Sequence, residues 1–231
     1  MQIKIKHYIN KIFSFFGYRI SKMKENNDLI KLYTYKNYDE YKSSQIFYNK
    51  KKLNHIYADE ATLSKIINFI KKNINKNNIK GICHGSRNGF EQEYFNKNLS
   101  NINVIGTDIS ETAKDFKNSF VWDFHDTNEN WISNFDFVYS NSLDQSFDPK
   151  KAVKCWLDQL VKNGYIFIEL SDECHGTSAV SKMDPFGVDL NYFPFLVSDW
   201  LGHKVSIKII NTIKPNQSNA KAIVFVLKKL D

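Results

Sequence analysis

The chain of 231 residues has few cysteines, prolines and glycines, and these shortages exclude several classes of protein. Its three cysteines, Cys83, Cys155 and Cys174, form no Cys-x-x-Cys pair, which argues against a disulfide framework and a zinc knuckle. Four prolines and nine glycines exclude collagen-like and proline-rich chains. No run reaches the roughly 18 apolar residues of a membrane span. We therefore expect no transmembrane segment and a cytoplasmic protein.

Arginine is almost absent, since Arg19 and Arg87 are the only two among 32 basic residues. The net charge of +7 therefore comes from lysine, and the accompanying asparagine and isoleucine are typical of AT-rich coding sequences. Proteins that bind nucleic acid usually rely on arginine for bidentate contacts. The positive charge consequently does not indicate a nucleic-acid partner.

The length fits one domain with an N-terminal extension, at about 150 residues per domain. The apolar content of 42% is sufficient for a sizeable core. We assign residues 1–58 to the extension and residues 59–231 to the domain. Residues 1–24 indicate a basic amphipathic helix that packs on the core or on a second copy in a homodimer, with peripheral contact to an anionic membrane as the alternative. Residues 25–58 are tyrosine-rich and polar, which predicts an irregular cap.

Short apolar runs alternate with helical stretches over the rest of the chain. The predicted strands are residues 79–83, 104–107, 120–122, 135–140, 165–170, 205–210 and 222–227. Helices are predicted around residues 59–70, 91–97, 150–161 and 190–201. This alternation predicts a Rossmann-like, doubly wound α/β fold with a mostly parallel seven-stranded sheet. The last two strands leave no room for a helix between them and should form an antiparallel hairpin.

Polar clusters follow four of the predicted strands. The first is residues 81–89, GICHGSRNG, where Gly85 and Gly89 let the backbone approach a ligand at the start of a helix. Its spacing fits neither a dinucleotide fingerprint nor a P-loop. In the second cluster, Asp108 ends a strand, where a carboxylate can accept hydrogen bonds from ribose hydroxyls or cap the next helix.

The third and fourth clusters continue the same pattern. Asp123 can accept a hydrogen bond from an adenine amino group and Phe124 can cover its ring, although a turn closed by aspartate side chains has the same sequence. Ser140 and Asn141 follow a buried strand. Because ligands of open α/β sheets bind outside the carboxyl ends of the strands, the four clusters together predict one ligand site.

Together these segments resemble the motifs of class I S-adenosylmethionine-dependent methyltransferases, over about residues 60–231. HGSRNG-x-E, WDFH, YSNS-x-D and the DPFG of residues 184–187 resemble a narrower group of little-characterised bacterial and phage members, some associated with surface-glycan gene sets. The chain also departs from the family. Cys83 stands where the family has an acidic residue, Arg87 replaces a glycine, Gln145 replaces a frequent histidine, and Tyr165 replaces a second glycine.

The resemblance implies S-adenosylmethionine as the cofactor and S-adenosylhomocysteine as its product. The cofactor-binding residues that it implies are Gly85, Ser86, Arg87 and Gly89 at the methionine part, Asp108 and Ile109 at the ribose, Asp123 and Phe124 at the adenine, and Ser140 and Asn141 near the sulfonium. Arg87 would pair with the methionine carboxylate. The expected acceptor is a small molecule or a glycan precursor, with residues 171–192 as the lid over it and the DPFG of residues 184–187 as a turn in that lid.

Methylation of an oxygen also requires removal of a proton, for which a histidine is suited. The candidates for this base are His125 and His175, in loops after the third and fifth predicted strands, whereas His84 is expected to be structural. We predict no metal site. A divalent ion held by Glu169, Asp172, Glu173 and His175, with Asn141 or Asp144, is the minority alternative.

Other functions stay open at this point. A protein that binds S-adenosylmethionine or another nucleoside without catalysis would agree with the departures at Cys83, Arg87 and Gln145. A nucleic-acid methyltransferase would need a basic face beside the cleft, whereas the lysines are spread along the chain. A nucleotide-dependent dehydrogenase fits least, because its glycine spacing is absent.

Overall fold

The structure is a computed structural model that describes residues 28–230. The amphipathic helix predicted for residues 1–24 lies outside these residues. Among the helices that are described, none is long and apolar enough to cross a membrane.

The described strands form two sheets. Strands β1 (Ile30–Leu32) and β7 (Phe186–Val188) pair antiparallel. The large sheet contains β2 (Ile79–His84), β3 (Ile102–Asp108), β4 (Ser119–Val121), β5 (Phe135–Ser140), β6 (Leu160–Leu170), β8 (Val205–Lys214) and β9 (Ala220–Lys229), in the spatial order β4-β3-β2-β5-β6-β9-β8. Neighbours from β4 to β6 are parallel, and β9 is antiparallel to both β6 and β8. The predicted Rossmann-like sheet of seven strands with a C-terminal hairpin is confirmed.

Helices cover both faces of the large sheet. They are α1 (Tyr38–Lys51), α2 (Glu60–Asn73), α3 (Phe90–Asn98), α4 (Pro149–Gln159), the single turn α5 (Asp172–His175) and α6 (Phe193–Leu201). One core cluster joins the apolar faces of α2 and α3 to the sheet, and a second joins those of α4 and α6. Adjacent residues of β5 point to opposite clusters, with Phe137 in the first and Val138 in the second. The four helices predicted beside the sheet are therefore confirmed.

Two expectations for the segments around the site are wrong. The region expected to be an irregular cap contains α1, which begins after Asn37, whose side chain accepts a hydrogen bond from the Glu40 N–H at 2.9 Å. Its buried face is largely polar, so no apolar periodicity marks it. The DPFG stretch is not simply a turn, because Phe186 and Gly187 belong to β7 and pair with β1. The division at residue 58 stays a prediction.

The Phe137 ring of β5 makes a close approach to the Gly81 backbone of β2. A Cβ atom at Gly81 would lie 2.3 Å from Cζ of Phe137, which is fully buried. We expect Gly81→Ala to lower the free energy of unfolding by about 1–3 kcal/mol, because the ring has no room to move. Urea denaturation measures this, with Lys208→Ala on the exposed edge strand as the control. Equal stability of Gly81→Ala and the wild type would contradict the close approach.

Candidate functional site

The candidate site lies at the carboxyl end of β2, where the order of the sheet reverses. Strand β2 has β3 on one side and β5 on the other, so the loops that follow β2 and β5 leave a crevice between them. The loop after β2 has positive φ at Gly85, Arg87 and Gly89, of 71°, 42° and 78°. A Cβ atom at Gly85 would lie 2.6 Å from Cβ of Ser142 in the other loop. Only glycine allows these two loops to meet in this way.

A cavity of about 260 Å³ opens over this edge. Three chain segments at the carboxyl ends of the strands supply most of its polar wall, namely the loop after β2 with the start of α3, the loop after β5, and the segment after β6. Residues of these segments in the wall include Ser86, Arg87, Glu91, Asn141, Asp144, His175 and Asp184. Lys52 and Tyr57, between α1 and α2, and Lys214 at the end of β8 complete it.

A second cavity, of about 20 Å³, adjoins the first, since Gly85 and Gln145 line both. Its wall holds four of the predicted cofactor-binding residues, Asp108, Ile109, Asp123 and Phe124. The opposite wall is the buried face of α1, with Tyr41, Gln45 and Asn49. The small volume follows from these α1 side chains, which fill the space beside the two carboxylates.

The structure thus brings most of the predicted cofactor-binding residues to two adjoining cavities, with two exceptions. Gly89 is the N-cap of α3 and lines neither cavity. Ser140 is fully buried, and its hydroxyl donates to the carbonyl oxygen of His84 at 3.0 Å. Both residues support the loops that form the walls.

The carboxylates of the smaller cavity are held by the protein. Asp108 accepts hydrogen bonds from the N–H groups of Ser110 at 2.9 Å and Arg87 at 3.1 Å, and burial raises its pKa. The Asp123 carboxylate accepts from the Tyr38 hydroxyl at 2.7 Å and contacts Nδ1 of His125 at 2.6 Å. Burial opposes its ionisation, but the contacts with His125 outweigh this and lower the pKa of Asp123.

The two histidines predicted as bases occupy different surroundings. His125 lines neither of these cavities, and its Nε2 is 2.6 Å from the Ser146 hydroxyl, so both ring nitrogens are engaged. His175 lines the larger cavity. Its Nδ1 accepts from the Ser171 N–H at 2.9 Å, and its Nε2 donates to the Asn141 carbonyl oxygen at 3.2 Å. Burial lowers the pKa of His175.

Sequence reasoning gave no site role to Glu91 and named Asp144 only as a possible metal ligand. Glu91 Oε2, Asp144 Oδ1 and Arg87 Nε are buried atoms without a hydrogen-bond partner at the larger cavity. Burial raises the pKa of Glu91 and that of Asp144 to about 7 in each case. Both residues stand in stretches that carry the family resemblance, HGSRNGFE and YSNSLD, which was the available signal.

The side chains that the structure describes include no group of three or more His, Cys, Asp or Glu residues positioned to hold a metal ion. Glu169, considered above as a ligand, forms an ion pair with Lys214 at 2.7 Å and accepts from the Tyr139 hydroxyl at 2.7 Å. All three side chains are buried. Glu169 therefore has partners within the protein.

No known protein family matches the chain, and no curated protein matches it in sequence. Similar solved structures include the Burkholderia thailandensis 1,6-didemethyltoxoflavin-N1-methyltransferase with bound 1,6-didemethyltoxoflavin and S-adenosylhomocysteine. It superposes on this chain with a TM-score of 0.65 at 11% sequence identity, and the match covers 90% of this chain and 99% of that one. The [4+2]-cyclase SpnF has a TM-score of 0.57 at 8% identity, covering 81% and 93%. The CurJ carbon methyltransferase has a TM-score of 0.57 at 12% identity, covering 75% and 54%, so this chain spans about half of that chain.

These similarities show that the chain has the Rossmann-like fold of class I methyltransferases. The three proteins are described as an N1-methyltransferase, a carbon methyltransferase and a cyclase. The fold alone therefore does not determine the reaction or the accepting atom.

His84 is held in the core beside the site. Its Nδ1 lies 2.8 Å from the Thr107 hydroxyl, its Nε2 lies 2.8 Å from Oε1 of Gln159, and its ring stacks on Trp156. Burial lowers the pKa of His84 from 6.5 to about 4. The imidazole is therefore neutral in the folded protein at neutral pH.

This lowered pKa makes stability depend on pH. Below about pH 6.5, His84 becomes protonated in the unfolded chain but stays neutral in the folded protein. The free energy of unfolding therefore falls with pH, by up to about 3 kcal/mol at pH 4. We expect this loss to be shallower in His84→Gln, although that variant is less stable at pH 7. Urea denaturation between pH 7 and pH 4 measures both slopes, and parallel slopes would contradict the assignment.

Proposed function

We propose that this protein is an S-adenosylmethionine-dependent methyltransferase that methylates a hydroxyl group of a small polar molecule, such as a sugar or glycan precursor. The observation that carries the proposal is the pair of adjoining cavities at the switch point of the sheet. The smaller cavity has carboxylates at the ends of β3 and β4, and the larger has two, Glu91 and Asp144, each with a buried oxygen that lacks a hydrogen-bond partner. S-adenosylhomocysteine in the toxoflavin methyltransferase of the same fold supports the choice of cofactor.

The residues at the site fit this cofactor. Asp108 would hold the ribose hydroxyls, Asp123 the adenine amino group, and Phe124 would lie against the ring. Gly85 lines both cavities, so its backbone is next to a ligand that spans them. Bound S-adenosylmethionine supplies an electrophilic methyl group, and the protein aligns it with the acceptor. Because Tyr41, Gln45 and Asn49 fill the smaller cavity, α1 has to shift for a nucleoside to bind.

Calorimetric titration with S-adenosylmethionine and S-adenosylhomocysteine tests the cofactor. We expect micromolar binding that weakens at least tenfold in Asp108→Ala, since charged hydrogen bonds to the ribose are lost. Asp115→Ala, an exposed aspartate of the following 3-10 turn, is the matched control and should bind as the wild type does. Folded wild-type protein that binds neither ligand would refute the methyltransferase proposal.

Removal of the proton from the acceptor hydroxyl requires a base with a free lone pair at the larger cavity. His175 has none in this arrangement, because Nδ1 accepts from Ser171 and Nε2 donates to Asn141. Asp144 Oδ1 has no hydrogen-bond partner and lies 3.8 Å from Nε2 of His175. Its pKa, raised to about 7 by burial, suits proton transfer near neutral pH. We therefore assign Asp144 as the base and His175 as a positioning residue.

His125 takes a different role within the same proposal. It contacts Asp123 and lies outside the larger cavity, so it positions the carboxylate proposed for the adenine. The expectation that a histidine acts directly as the base is revised on these contacts.

Transfer of a labelled methyl group to a panel of sugars and nucleotide sugars tests these roles. We expect Asp144→Asn to lower kcat at least a hundredfold, while its Kd for S-adenosylhomocysteine stays within about threefold. His125→Asn should show the converse, weaker cofactor binding with a smaller change in kcat. Wild-type turnover by Asp144→Asn would contradict the assignment, and binding without turnover on any acceptor would favour a non-catalytic cofactor-binding protein.

The walls of the larger cavity support a polar acceptor. Amide side chains of Asn88, Gln145 and Gln217 line it, beside the Tyr57 ring that the Arg87 guanidinium covers. Polar walls of this kind suit a polyhydroxylated molecule, whose hydroxyls need hydrogen-bond partners. The homodimer, the cytoplasmic location and membrane contact by residues 1–24 stay predictions from the sequence.

A further inference from the structure

Besides Asp144, two residues that line the larger cavity each have a buried side-chain atom without a hydrogen-bond partner, one on a guanidinium and one on a carboxylate. These atoms are Nε of Arg87 and Oε2 of Glu91. Glu91 lies in the first turn of α3, and only 7% of its surface is exposed. A buried carboxylate oxygen without a partner is costly unless a ligand supplies a donor.

Nearby groups that could satisfy Glu91 within the protein are engaged elsewhere. Lys214 is paired with Glu169 at 2.7 Å. The Arg87 guanidinium donates from one terminal nitrogen to the His55 carbonyl oxygen at 3.5 Å and lies 5.1 Å from the centre of the Tyr57 ring. Arg87 and Glu91 are thus held beside the same space without a hydrogen bond between them.

The helix N-terminus alone does not explain the position of Glu91. Acidic residues in a first turn interact favourably with the helix dipole, and α3 has two, Glu91 and Glu93. Glu93 is exposed, as such residues usually are, whereas Glu91 turns into the cavity. The charge of Glu91 also adds to the effect of burial in raising the pKa of the Cys83 thiol, so its carboxylate is near Cys83. Glu91 therefore places a carboxylate near Cys83, the position at which the family has an acidic residue and this chain has a thiol.

We propose that Glu91 binds the α-ammonium group of the cofactor, with its Oε2 accepting a hydrogen bond, beside Arg87, whose Nε would donate to the α-carboxylate as the family resemblance implies. The inference rests on the proposed function and deepens it by naming the residue that binds the ammonium group, in a chain that has Cys83 where the family has an acidic residue. A zwitterion is the ligand group that satisfies an orphaned anion and an orphaned cation side by side.

Two ligands that differ only in this end test the proposal on the full-length protein. S-adenosylhomocysteine carries the amino acid end, and 5′-methylthioadenosine has the same nucleoside and sulfur without it. We expect Glu91→Gln to weaken S-adenosylhomocysteine by about ten- to hundredfold and to leave 5′-methylthioadenosine within about twofold. Glu93→Gln, in the same turn, should change neither affinity.

Each outcome decides the proposal. Equal weakening of both ligands, or of neither, in Glu91→Gln would overturn it while the cofactor assignment stands. Wild-type protein that binds neither ligand removes the proposed function, and the inference with it. If Glu91→Gln does not fold, the wild type is titrated with an S-adenosylhomocysteine analogue whose α-amino group is replaced by hydrogen. At least tenfold weaker binding of that analogue supports the proposal, and equal binding overturns it.

Discussion

The pairing of β2 with β3 on one side and β5 on the other is the constraint on which the site depends. Where β2 pairs with β5, the Phe137 ring packs over Gly81, which has no side chain to displace it. Because the connections then run to opposite sides of the sheet, the loops after β2 and β5 cannot close over the end of β2. Gly85, packed against Ser142, fixes how near these loops come. The two cavities are the space that remains.

The elements that sequence reasoning found are those whose burial is apolar and periodic. All seven strands of the large sheet and the helices beside it follow from such patterns, and the polar residues at the strand ends follow from the topology. Helix α1 was missed because the side chains that it buries, such as Ser44, Gln45 and Asn49, are polar. Strand β1 was missed because its three residues are exposed and its pairing with β7 is entirely long-range.

Some site residues could likewise be placed from the sequence, whereas others depend on how the elements pack. Asp108 and Asp123 could be placed from the sequence, because each stands at the end of a strand. That Glu91 turns inward while Glu93 turns outward depends on how α3 sits over the sheet, which composition and spacing do not contain. The engagement of both ring nitrogens of His175 likewise depends on two separate segments, since Asn141 follows β5 while Ser171 and His175 follow β6.

The charges around the larger cavity are nearly balanced although the chain as a whole is strongly basic. Lysines elsewhere carry most of the excess, whereas the cavity combines three basic residues, Lys52, Arg87 and Lys214, with four acidic ones, Glu91, Asp144, Glu173 and Asp184. One of the chain's two arginines stands there. A guanidinium suits a buried position that requires a permanent, oriented positive charge. A lysine ammonium group is less suitable there, because it is flexible and its pKa shifts readily on burial.

Helix α1 has a kinetic consequence. Its residues Tyr41, Gln45 and Asn49 occupy the smaller cavity, and Tyr38 holds the Asp123 carboxylate by a hydrogen bond. Any nucleoside that enters or leaves this cavity has to break these contacts first. For a nucleoside bound as proposed, association would be slower than diffusion because α1 has to open first, and the residence time would depend on how firmly α1 closes.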